Sequence, residues 1–207
     1  VTVYQITNST LAQMAPTTAD GSDNFDANIK LLSGETKSKG VEVDITARPA
    51  DGLNVIAGYS YNDMRYTKTS GLNGSFVEGD RVARTPLNTA NLSFFYTLQS
   101  GIFKNVSFGA IGNYIGDRLG GWNDDYVWTE NKPSTTPKTY TVTIRDRDIP
   151  LDSYVTVDAS VGYTWQKFSI LCKLSNITNT LNYTVHENYS VNPIAPRQVM
   201  TSLRYKF

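Results

Sequence analysis

Apolar and polar residues alternate along most of this chain in stretches of about ten residues. Successive side chains of a strand point to opposite faces, so a period of two means that the two faces meet different surroundings. Eight stretches carry the pattern, and each predicts a strand. The first, residues 1–8, is short. In the second, Val41, Val43, Ile45 and Ala47 alternate with Glu42, Asp44 and Thr46. The third sets Leu53, Val55, Ala57, Tyr59 and Tyr61 against Asn54, Gly58, Ser60 and Asn62, with Ile56 as the one break. Ala90, Leu92, Phe94, Tyr96 and Leu98 form the fourth, and Val106, Phe108, Ala110, Gly112 and Tyr114 the fifth. The sixth carries Val155, Val157, Ala159, Val161 and Tyr163, and the seventh Phe168, Ile170, Cys172 and Leu174. The last alternates Val199, Thr201, Leu203, Tyr205 and Phe207 with Met200, Ser202, Arg204 and Lys206.

Alternation is shared by soluble sandwiches and membrane barrels, and connection lengths separate them. Those after the second, fourth and sixth stretches are short, at residues 48–52, 99–105 and 164–167. The other four, at residues 9–40, 63–89, 115–153 and 177–198, are long. Strict alternation of short and long is the arrangement of an up-and-down outer-membrane barrel, with tight turns on the periplasmic side and large loops outside. A Greek-key sandwich imposes no such order. The polar faces are built from Gly, Ser, Thr and Asn rather than Lys and Glu, which suits a lumen better than a solvent face. Tyr59, Tyr61, Tyr114, Tyr163, Trp165 and Tyr205 stand near the ends of the apolar faces, where a barrel places its interfacial aromatics.

Composition narrows the classes further. The chain's 207 residues include 19 Lys and Arg balanced by 19 Asp and Glu, so there is no basic footprint for nucleic acid. One Cys and one His exclude a disulfide framework and a Cys/His metal site. Cys172 falls on an apolar face and reads as an inert small hydrophobe. No apolar run reaches the roughly 18 residues of a membrane helix. Val1 in place of Met, opening at once into a strand, reads as a processed or truncated chain. Nothing resembles a nucleophile elbow, a zinc-protease helix or a phosphate loop, and the chain reads as no enzyme, with an outer-membrane hydrolase the weakest reading.

Eight strands of about ten residues would close a small barrel with a lumen filled by side chains. The inner face here offers Gly58, Gly109, Gly162 and many Ser, too little bulk for that, so a wider barrel of which this chain is an arc is expected. A self-contained eight-stranded barrel with a structural or adhesive role is the alternative. Several stretches resemble the C-terminal barrel of TonB-dependent siderophore receptors. These are Ser38-Lys-Gly-Val-Glu-Val-Asp44, Gly52 through Asp63 with Tyr66, and Gly79-Asp-Arg-Val-Ala-Arg-Thr-Pro86 leading to Asn91. Tyr154 through Tyr163, Leu174-Ser-Asn-Ile-Thr-Asn-Thr-Leu-Asn-Tyr183, Pro196-Arg197 and the terminal Arg204-Tyr-Lys-Phe207 continue the resemblance in the same order.

The resemblance implies an all-β, antiparallel transmembrane barrel of about 22 strands in the bacterial outer membrane, with residues 1–207 as its C-terminal eight strands. It implies a plug and a TonB-contacting segment outside this chain, a ferric siderophore as ligand, no covalent cofactor, and outer-membrane lipid, the rest of the receptor and the TonB complex as partners. Phe207 resembles the aromatic terminus by which outer-membrane insertion machinery recognises its clients, and it also fits an interfacial position. In such receptors ligands meet the long loops, so Arg118, Trp122, Tyr126 and Trp128, near Gly120, Gly121, Asp124 and Asp125, are candidate ligand contacts. Tyr183, His186 and Tyr189 in the last long loop are the others. For both groups, loop-on-loop packing is the alternative reading. Residues 139–147 alternate in part and predict a strand extended beyond the bilayer; the charged run 145–148 reads as a solvated pair network.

Overall fold

A computed structural model of the chain describes all residues except 16, 23, 25, 27, 70–77, 123–125, 131–139, 145–147 and 186–190; for residues 122, 126–130 and 140–144 it describes the backbone alone. The elements in order are β1 (Thr2–Met14), β2 (Lys30–Ala50), β3 (Leu53–Lys68), β4 (Asn88–Thr97), β5 (Val106–Ile115), β6 (Arg118–Trp122) and β7 (Tyr126–Glu130). They continue with β8 (Tyr140–Ile144), β9 (Asp148–Leu151), β10 (Tyr154–Trp165), β11 (Phe168–Ser175), β12 (Tyr183–Val185), β13 (Val191–Pro193) and β14 (Gln198–Tyr205).

Each of the eight predicted strands has its counterpart in one antiparallel sheet of order β1-β2-β3-β4-β5-β10-β11-β14. Every neighbour is the next long strand in sequence, so the sheet is a pure meander. Its ends are β1 and β14, which do not pair with each other among the described residues. The sheet therefore stays open, and the self-contained small barrel does not form.

Register fixes the two faces. Gly58 lies between Asp44 and Asn91, and Asn91 opposite Asn113. That polar face continues through Thr156, Asp158 and Ser160 to Lys173, whose Nζ pairs with Asp158 Oδ2 at 2.8 Å. The opposite face carries Ile45, Leu92, Phe94, Phe108, Val161, Ile170, Val199 and Leu203, all exposed. Of the described residues, the only apolar ones that are buried are Ala15 and Tyr66, in a chain that is 40% hydrophobic. The apolar surface has been sorted onto one side of the sheet, and among the described residues no protein layer covers it.

The strands at the long-loop end run further than the alternation predicts. β1 and β2 shorten the first long connection to residues 15–29, and β3 continues to Lys68. There Ser38 and Asn62 hydrogen-bond across the sheet at 2.5 Å and Lys68 Nζ meets Glu35 Oε2 at 2.8 Å. The residues of this extension have no apolar side, so the ladder's backbone bonds persist where alternation has lapsed. The two ends of the connection at residues 15–29 are tied by Asn24, fully buried, whose Nδ2 donates to the carbonyls of Ala15 at 2.8 Å and Ile29 at 3.3 Å. In the same loop the hydroxyls of Thr18 and Ser22 and the Ser22 amide hold the Asp20 carboxyl down to about 2.

At the opposite end the turns are tight. Gly52 has φ +79°, and a Cβ there would run into the Thr97 carbonyl, so glycine is required. Gln166 and Lys167 alone join β10 to β11.

Candidate functional site

Three long connections converge at one end of the sheet, around the start of β6. Arg118 is 6% exposed and its register partner is Leu151 of β9. Its guanidinium lies 5.3 Å from the centroid of the Tyr154 ring, a cation–π distance. Nη1 donates to the Asp152 carbonyl at 3.3 Å, and Nη2 donates to Asn182 Oδ1 at 2.9 Å and to the Tyr183 carbonyl. One side chain thus ties the connection between β5 and β10 to that between β11 and β14. Asn182 completes the link, its Nδ2 donating to Asp152 O at 3.1 Å.

The connection between β3 and β4 joins the same centre. Residues 79–87 fold back along β3, with Val82 N bonded to Met64 O and Asn62 N to Leu87 O, both at 2.9 Å. Arg84 N then donates to Leu119 O at 2.7 Å, and Arg81 Nη1 pairs with Asp117 Oδ2 at 2.9 Å. On the other side of these residues Arg65 is held by Asp63 at 2.8 Å and donates to Gly79 O at 2.9 Å.

The exit of β11 is an asparagine-built turn. Asn176, 4% exposed with φ 48°, donates through Nδ2 to Thr180 O at 3.0 Å and Ala195 O at 2.9 Å, and its Oδ1 accepts from Thr180 N at 2.9 Å. Its own amide donates to Asp158 Oδ1 at 2.9 Å, and Asn179 Oδ1 accepts from Arg197 N at 3.0 Å. The stretch from Leu174 to Tyr183 is a bracket that starts the last loop at a fixed angle and returns it to β14.

Of the ligand-contact candidates, Arg118 and Tyr183 are brought together through the Tyr183 carbonyl; Tyr183 as a residue is 40% exposed. Trp122 ends β6 opposite Asp148, while Tyr126 and Trp128 lie on β7, in register with Ile144 and Val142 of β8. Within residues 139–147, expected to extend a strand, Tyr140–Ile144 is β8, which pairs with β7 in a two-stranded sheet of its own; residues 139 and 145–147, with most of the charged run 145–148, lie outside the described residues. The side chains of Trp122, Tyr126 and Trp128, and all of His186 and Tyr189, lie outside the described residues. Sequence reasoning missed Arg81, Asp117, Asn176 and Asn182; the regular spacing Asn176, Asn179, Asn182 was the available signal, since Asn side chains favour such local backbone bonds.

The interfacial candidates fall into two groups on the apolar face. Tyr59 and Tyr114 share one register row with Ala90 between them, and Tyr61 is one step nearer the long loops. Tyr59 hydroxyl donates to Asn88 Oδ1 at 2.7 Å. At the short-turn end Trp165 and Phe168 stack at 6.4 Å, Phe168 meets Tyr205 at 4.8 Å, and Tyr205 meets Phe207 edge-on at 5.0 Å. Tyr163 adjoins this row through Ile170. Among the described residues no group of three or more His, Cys, Asp or Glu side chains is placed to hold a metal ion.

Comparison with known families decides what this open sheet is. The family model for the TonB dependent receptor-like beta-barrel matches residues 1–185. The chain belongs to that family. Its eight-strand sheet is an arc of the family's larger barrel of about 22 strands, and its place is the bacterial outer membrane. The ferrioxamine B receptor of Salmonella typhimurium is 31% identical over 103 residues, 50% of this chain and 14% of that protein. The metal-pseudopaline receptor CntO of Pseudomonas aeruginosa is 24% identical over 189 residues, 89% of this chain and 23% of the relative. Among solved structures, the ferric preacinetobactin receptor BauA of Acinetobacter baumannii superposes with a TM-score of 0.71 at 17% identity, covering 99% of this chain and 26% of BauA. The ferripyoverdine receptor of P. aeruginosa does so with a TM-score of 0.67 at 20% identity, covering 99% and 24%. The chain thus spans about a quarter or less of these relatives' length. They are receptors, not enzymes.

Proposed function

We propose that residues 1–207 form the C-terminal part of the barrel of a receptor that takes up a ferric siderophore in a TonB-dependent manner. The observation that carries this reading is the convergence of three long connections on residues 117–119, at one end of a barrel arc. It makes a braced rim where an extracellular ligand would be met. The ferrioxamine B, ferrichrome and ferripyoverdine receptors among the relatives are named for iron chelates, which favours that cargo class.

The plug and the TonB contact are assigned to other parts of the receptor. The polar face supports this division. Around Gly58 and Asn91 it leaves an open trough lined by Asp44, Ser60 and Thr89, which these eight strands do not fill. Energy for transport enters through those other parts, while this arc supplies the wall and part of the rim.

The two aromatic groups mark the membrane boundaries in this reading. Val155, beside Tyr114 in register, and Trp165 are ten residues apart on β10. Ten residues span about 34 Å along a strand and about 25 Å across a bilayer at a tilt near 45°, the height of the apolar band of an outer-membrane barrel. Phe207, packed on Tyr205, serves in the same reading as the terminal assembly signal.

Trp122, Tyr126, Trp128, Tyr183, His186 and Tyr189 are proposed to face the chelate, with Arg118 holding the loops that carry them. In the full-length receptor, Trp122→Ala with Trp128→Ala should weaken uptake of the cognate ferric chelate about tenfold, measured with radiolabelled iron. Unchanged uptake across hydroxamate and catecholate chelates would remove this loop from the binding site.

A further inference from the structure

The chain's zero net charge conceals an uneven distribution. The short-turn end, residues 48–52, 99–105, 166–167 and 204–207, holds five of the 19 basic residues and one of the 19 acidic ones. The five are Arg48, Lys104, Lys167, Arg204 and Lys206, and the acid is Asp51. That end carries +4, leaving −4 on the rest of the chain. All five cations are exposed, and among the described residues none is ion-paired.

Two of them are next in sequence to residues that line an apolar depression, Lys167 before Phe168 and Lys206 after Tyr205. Tyr163, Trp165, Phe168, Ile170, Leu203 and Tyr205 line a hollow on the outward face of the last three strands, almost wholly apolar and open to the side. Lys167 follows Trp165 in the β10–β11 turn, and Lys206 N donates to Lys167 O at 2.9 Å, so the backbones of these two lysines meet at the rim of the hollow. An apolar trough with two exposed lysines in the adjoining chain segments, at a membrane boundary, matches an acyl chain joined to an anionic headgroup, which long lysine side chains can reach.

We infer that the hollow between β10, β11 and β14, with Lys167 and Lys206, is a binding site for an anionic phospholipid of the leaflet facing the short turns. The inference rests on the membrane placement proposed above. Aromatic residues alone would accept any acyl chain; the two lysines add the selection, each contributing about a fivefold preference for a negative headgroup.

The test uses the full-length receptor reconstituted in bilayers containing acyl-brominated phosphatidylglycerol or acyl-brominated phosphatidylcholine at equal mole fraction. Trp165 emission is taken as the difference between wild type and Trp165→Phe. Phosphatidylglycerol should quench it with an association constant about 25-fold above that of phosphatidylcholine. Lys167→Gln with Lys206→Gln should bring the ratio close to one. Should that variant fail to fold, judged by its heat-dependent electrophoretic mobility, raising the salt on wild type should lower the ratio, since exposed charges are screened. Equal quenching by the two lipids in wild type, or a preference insensitive to both the substitutions and salt, overturns the lipid site while leaving Trp165 in the membrane. Absence of quenching by either lipid overturns the membrane placement and the site together.

Discussion

Arg118 is read from the sequence as a ligand contact, and its partners are protein groups. The hydrogen bonds go to residues 34, 64 and 65 positions away, two of them main-chain carbonyls that carry no side-chain signature. No local pattern announces such a partner. A guanidinium serves three acceptors in different directions because its donors are fixed in a planar fork, which an ammonium group does not reproduce. Arg118→Ala should destabilise the loop end by about 1–3 kcal/mol, because two main-chain carbonyls and Asn182 lose a charged donor. In the full-length receptor this would appear as faster proteolysis within residues 176–197, with the barrel's resistance to unfolding kept. Arg118→Lys should fall between. Cleavage of the alanine variant at the wild-type rate would show that the loops are held by something else.

At the scale of the strands, the alternation located all eight spans of the sheet and assigned their faces. Val199, Leu203 and Tyr205 stand on the exposed apolar face, while Met200, Ser202 and Arg204 stand on the other. Strand ends were less legible: β2 has 21 residues, of which residues 41–47 carry the alternating signal. Alternation requires unlike surroundings on the two faces, and a strand that has left the bilayer keeps its ladder without them. The face assignment has a direct consequence. Val199, 71% exposed and midway along the apolar band, should tolerate arginine poorly, at a cost of about 2–4 kcal/mol. Ser202→Arg, three residues along on the inner face, should cost less than about 1 kcal/mol. Urea midpoints of the two folded variants in detergent check this, and equal midpoints would contradict the assigned faces.

For the whole molecule, the open edges matter most. Among the described residues β1 and β14 each have one edge with no strand paired to it, and no unpaired edge can rest in hydrocarbon. Residues 1–207 expressed alone should therefore fail to give a monomeric barrel with heat-dependent electrophoretic mobility, and should aggregate or associate through their edges. A stable monomer that inserts into vesicles would mean that β1 and β14 can close on each other.

The sequence by itself determined the eight strands of the large sheet, their order along the chain, their two faces and the ends at which long and short connections fall. All of these follow from residue spacing, because the lipid–lumen contrast is imposed locally at every second position. Only the tertiary structure decided between the expected arc and a closed small barrel, and only it decided that Arg118 and Asn182 bind two loops into one rim and that aromatic rings from separate strands line one hollow. Those features depend on which distant residues the register brings together. A periodicity of two contains no information about that register until the strands have paired.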